Sequence, residues 1–172
     1  CVDVLEHATM TDVAAIQAAA LAQLAEAPEL TPLVGATAGI TADPHAIERL
    51  LTNGRGAGLS PTLVQLGHQL PLKQTAALLD FAIQHAPADN TALAIAAWWP
   101  RLRHVNSSRD ALLDLLGDKA LGASAALALA QSPDVQMIKV LRDTANGDSD
   151  AAKRARMALD LSRDQLAGEV QP

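Results

Sequence analysis

Tyrosine is absent from this 172-residue chain, and aromatic residues make up only 2 % of it: Phe81, Trp98 and Trp99. Its core must therefore be assembled from small and aliphatic side chains. The only cysteine is Cys1, which excludes an internal disulfide framework and a thiolate-based zinc site. Basic residues are in deficit: the formal net charge is −6 and the pI is near 5.2, whereas phosphate recognition needs a basic face. The expectation is no nucleic-acid partner. No run approaches 18 uninterrupted apolar residues, so no membrane span is expected. Few β-branched runs are present to build strands.

What the chain has is alanine and leucine, which lose little conformational freedom in a helix and let helices approach closely. An Ala, two residues, then Ala and a large apolar residue recurs as Ala94, Ala97, Trp98, as Ala125, Ala128, Leu129 and as Ala155, Ala158, Leu159. Spacings of 31 and 30 residues are those of stacked helical hairpins. Helix signals surround this phrase. Thr11-Asp12 precede a stripe of Val13, Ile16, Ala20 and Leu24 that Pro28 closes, and Pro32 to Ala38 form a short piece. Asp43-Pro44 and Ser60-Pro61 read as helix starts, with an Asp or Ser cap and Pro where its missing N–H costs nothing. Pro71 opens a helix over 72–86, Thr91 to Trp99 form the next, and Pro100 ends or kinks it. Two further pairs are expected at 107–116 with 119–131 and at 133–144 with 150–166.

The last three pairs resemble HEAT repeats. In that family an Asp in the turn precedes a second helix with a small-residue face, and here Asp118 and Asp148 stand seven residues before Ala125 and Ala155, where Asp can cap the following helix. The chain departs from the family by carrying Thr91, Gly122 and Ala152 where a basic residue usually stands. The resemblance covers residues 71–166. It implies an all-α fold of antiparallel helical hairpins stacked as a short right-handed α-solenoid. Residues 1–70 are expected to be an irregular helical layer or cap, and residues 167–172 a disordered tail.

Four constellations bear on chemistry. His7, His45, His68, His85 and His104 lack the i, i+4 spacing of a helical zinc motif, so no metal is expected and the histidines read as solvated or capping groups. The run Asn53 to Gly58 contains three glycines but follows no strand and lacks the Lys of a P-loop, so it reads as a flexible helix connection and no cofactor is expected. Lys153, Arg154 and Arg156 read as a solvated helix face. In the fourth, Trp99, Arg101, Arg103 and His104 follow Trp98. With Ala94, Ala97 and Trp98 facing inward, Trp99 points away from the stripe, toward solvent or a neighbouring layer. Trp and Arg dominate binding energy at interfaces, which makes this segment the candidate anchor for an acidic or amphipathic protein or peptide partner. The competing arrangement folds Trp99 back into the core.

No nucleophile elbow and no Ser, His and Asp arrangement is present in the spacing. The expected function is a non-enzymatic scaffold module of a larger, bacterial-type protein, soluble and cytoplasmic. Two alternatives stand beside it: an enzyme resembling the HEAT-like chromophore lyases or helical-repeat DNA glycosylases, and an envelope lipoprotein anchored through Cys1.

Overall fold

Three of the helix starts are fixed by short polar side chains, Thr9, Asp43 and Ser149, where backbone amides lack an intrahelical partner. In a computed structural model, which describes residues 8–131 and 135–168 with side chains to 163, Thr9 opens the first helix through a reciprocal capping box. Its hydroxyl accepts from the Asp12 amide at 3.2 Å, and the Asp12 carboxylate accepts from the Thr9 amide at 3.0 Å. The expected Cys1 start lies outside the described residues. Among the described residues ten α-helices follow one another and no strand occurs; the protein is all-α. The chain divides into two compact units, residues 1–98 and 99–172.

The first unit holds α1 (Met10–Gln23), a 3-10 turn (Pro28–Leu30), α2 (Thr31–Thr41), α3 (Pro44–Asn53), α4 (Leu59–Gln69), α5 (Leu72–His85) and most of α6 (Ala88–Leu102). Asp43 caps α3 by accepting from the His45 amide at 3.0 Å, with Pro44 at the first helical position, as the sequence predicts. Ser60 is not a cap: α4 begins at Leu59, and Pro61 sits within its first turn, where no intrahelical donor is lost. α1 packs on α2 and α3, α2 on α3 and α4, and α3 on α5. Gly35 abuts Thr62 and Gly39 abuts Gln69, so α2 and α4 run parallel. Buried Ile47, Leu50, Leu51, Leu63, Leu66 and Leu79 form the core, each stabilising by about 1.5–3 kcal/mol.

The second unit contains the end of α6, α7 (Asn106–Asp114), a 3-10 turn (Leu115–Gly117), α8 (Gly122–Ala130), α9 (Val135–Thr144) and α10 (Asp150–Gly168). The Pro133 start lies outside the described residues, as does the expected tail from residue 169; α10 itself runs to Gly168. α8 packs on α7 and α10, and α9 on α10. Arg154 lies on Gly122, and the Ser162 hydroxyl donates to the Ala130 carbonyl at 3.1 Å. The two contacts join start to start and end to end, so α8 and α10 are parallel neighbours. Their seam is small: Ala125, Ala128, Ala155 and Ala158 are all buried.

Candidate functional site

α6 carries the segment the sequence singled out, and its burial corrects the expected register. Ala94, Ile95, Trp98, Trp99 and Leu102 are buried while Ala97 is only half-buried. These five positions form a stripe about 140° wide at 100° per residue, so both tryptophans fall within it. Trp99 is 0 % exposed and presents no ring to a partner. Arg101 is half-buried and engaged in an interaction. Arg103 and His104 are exposed, and the Arg103 carbonyl accepts from Arg109 at 3.3 Å. Pro100 lies inside the last turn and α6 ends two residues beyond it.

The two indoles have different polar surroundings. Trp98 Nε1 donates to the Leu63 carbonyl at 2.7 Å, and the ring reaches it across Gly67, where a Cβ would stand 2.7 Å from Trp98 Cδ1. Trp99 Nε1 and Ser108 Oγ are buried without a hydrogen-bond partner among the described residues.

The start of the glycine run is tied to distant segments. Buried Asn90 donates through Nδ2 to the carbonyls of Leu51 at 2.7 Å and Gly54 at 3.1 Å, and Thr31 Oγ1 donates to the Arg55 carbonyl at 3.2 Å. The Lys153, Arg154 and Arg156 face is also more engaged than expected. Arg154 donates to the Leu116 carbonyl at 2.7 Å, and Arg156 donates to those of Ala145 at 2.7 Å and Gly147 at 2.9 Å. Lys153 remains exposed, 3.5 Å from Asp150.

Of the two turn aspartates, Asp118 bonds the amides of its turn, while the cap position of α8 is Leu121, with no side-chain cap. Asp118 Oδ1 accepts from the Ala120 and Leu121 amides at 2.8 Å each, and those bonds hold its carboxyl below the usual carboxylate range, with a smaller contribution from the Arg154 charge. In the next copy Ser149 takes the role, its hydroxyl accepting from the Ala152 amide at 3.1 Å. Asp148 does not.

Two surface features were missed by sequence reasoning. Leu127 is 50 % exposed and Met157 is 39 % exposed; they occupy the same place in the repeat, two residues after Ala125 and Ala155, on helices that pack together. The 30-residue period could have flagged them. The other is a shallow hollow of about 250 Å³ in the first unit, lined by Ile16, Ala19, Ala20 and Gln23 of α1, by Leu30, and by Leu33 of α2. No group of three His, Cys, Asp or Glu residues among the described residues could hold a metal ion, and no helix among them is long and apolar enough to cross a membrane. Comparisons with models of protein families, with characterised proteins and with solved structures return no match.

Proposed function

We propose that this chain is a non-enzymatic helical scaffold that holds an amphipathic protein or peptide segment, and that its hairpins stack in the manner of a short α-solenoid. The observation that carries the proposal is the exposed pair Leu127 and Met157, repeated at one register on parallel helices. A solitary exposed apolar side chain means little, but apolar positions recurring along a ridge mark an interaction face. Parallel packing of α2 with α4 and of α8 with α10, each helix beside the next but one, supports the stacked reading. Arg103 and His104, exposed on the same unit, are the cationic groups an acidic flank of the partner would meet; Trp99 has no part in that contact. Selection of displayed peptides on the full chain tests the proposal. Amphipathic sequences should enrich, and Leu127→Glu with Met157→Glu should weaken their capture about tenfold or more. Absence of enrichment, or capture indifferent to both changes, would overturn it.

A further inference from the structure

Every formal charge of the net −6 lies in the first unit, where nine Asp and Glu face three Lys and Arg, whereas the second unit has ten of each. Within the first unit the asymmetry is sharper still, since residues 8–48 contain Asp12, Glu26, Glu29, Asp43 and Glu48 and no Lys or Arg. The apolar hollow sits in that stretch. Ile16, Ala19, Ala20 and Gln23 recur at i, i+3, i+4 and i+7 on α1 and supply one wall, and Leu30 and Leu33 supply the other. Glu26 stands three residues after Gln23 and Glu29 directly before Leu30, both exposed.

At about 250 Å³ the hollow is below the range that encloses a drug-sized ligand. It has room for an apolar side chain or two, since cavities of about 150 Å³ already take benzene. Its single polar lining residue, Gln23, offers little to orient a small polar molecule. We infer that this hollow seats the apolar side chains of a basic amphipathic helical segment of a partner protein, whose Lys or Arg residues pair with Glu26 and Glu29. An acidic surround raises the local concentration of a cationic helix and disfavours an anionic one, while the apolar wall supplies the contact that persists in salt. The inference rests on the scaffold reading and adds a second face with the opposite charge preference.

The test uses the full chain and two labelled helical peptides of about 18 residues, each with leucines at i, i+3, i+4 and i+7; one carries lysine elsewhere and the other glutamate. Fluorescence anisotropy should show the lysine peptide binding, more weakly at high salt. Its affinity should fall about tenfold in Glu26→Lys with Glu29→Lys, and as far in Ala19→Arg, which blocks the hollow at an exposed position, with helicity and Tm unchanged. Leu127→Glu should leave it unaffected. Lysine-peptide binding that survives charge reversal at Glu26 and Glu29 would overturn the inference. So would tighter binding in Val4→Ser with Leu5→Ser, which would make the chain's own first residues the occupant, or dimerisation of the chain through α1. If Leu127→Glu alone abolishes binding, the scaffold reading stands and the hollow fails; if neither peptide binds, both fail.

Discussion

Trp98 closes the first compact unit and Trp99 opens the second, and these adjacent, equally buried side chains are accommodated in different ways. Trp98 lays its indole over Gly67 and bonds the Leu63 carbonyl, whereas Trp99 Nε1 finds no acceptor among the described residues. The difference extends to the units themselves. In the first, uncharged amides and hydroxyls tie distant segments: Gln17 donates to Asp43 at 2.7 Å and accepts from Thr41 at 2.8 Å, and Asn90 fixes the loop after α3. In the second, Arg154 of α10 holds the Leu116 carbonyl and Arg156 holds two carbonyls of the connection before its own helix, beside a seam of alanines. A chain with so few aromatics sets its two tryptophans side by side on one helix. Elsewhere it relies on backbone carbonyls as anchoring points, because short apolar side chains leave them within reach.

The largest effect expected from breaking this contrast is at Trp98. Trp98→Ala removes a fully buried indole and should cost about 3–5 kcal/mol in denaturant unfolding. The more discriminating change is Phe at each position. Trp98→Phe removes the donor to the buried Leu63 carbonyl, while Trp99→Phe deletes a donor with no acceptor among the described residues, so the first should cost more, by about 1 kcal/mol. Equal losses would mean that the Leu63 bond contributes nothing.

Ala125→Leu probes the second unit in the same terms. Ala125 is fully buried in the seam of α8 and α10, so a branched side chain there should overpack it, at a cost of about 1–3 kcal/mol. Unchanged thermal stability would show that this face can part easily and that the alanine register has no packing role. Gly67→Ala makes the matching demand on the first unit, since its Cβ would press on Trp98; a cost in the same range of about 1–3 kcal/mol is expected.

Helix existence, the Asp43 cap and the bonds of Asp118 to its own turn were legible in the sequence because each depends on neighbours within one helix or one turn. The burial of Trp99 was not, because a stripe deduced from Ala94, Ala97 and Trp98 assumes a single buried face, and α6 buries a wider one centred away from Ala97. Likewise the bonds to the glycine run were not legible, because the groups that make them, Thr31 and Asn90, are distant in sequence. The hollow and its acidic surround escaped notice for the same reason: α1 and α2 each read as an ordinary amphipathic helix, and only their packing leaves Ile16 and Leu33 facing a common gap.

A smaller effect is expected at the turn between α2 and α3, where Ala42 adopts φ +50°. A left-handed conformation crowds the Cβ against the carbonyl, at a cost of about 1–2 kcal/mol that glycine avoids. Ala42→Gly should therefore stabilise the first unit, by about 1 kcal/mol once the added freedom of the unfolded chain is counted. A loss of stability would show that contacts of the Ala42 methyl outweigh the strain.

The smallest expected effects have opposite signs in the two units and concern protons. On α5, partial burial raises the Asp80 carboxyl above the usual carboxylate range; on the turn before α8, amide bonds from Leu121 and Ala120 lower Asp118. A folded-state pKa above the unfolded one means that the folded chain holds its proton longer, so ionised Asp80 opposes folding at neutral pH and the penalty disappears once acid protonates both states. For Asp118 the unfolded chain takes up the proton first, so its contribution is complete above the ordinary carboxylate range and is lost as pH falls through the depressed folded value. Asp80→Asn should accordingly raise Tm slightly at neutral pH, and Asp118→Asn should lower it slightly. Both differences should shrink toward zero as the pH is taken down to about 2, below the carboxylate range. Melting curves of the two variants across that interval decide the matter: a gain for Asp80→Asn that persists in acid would come from packing or hydrogen bonding of the amide, and burial of the charge would no longer account for it.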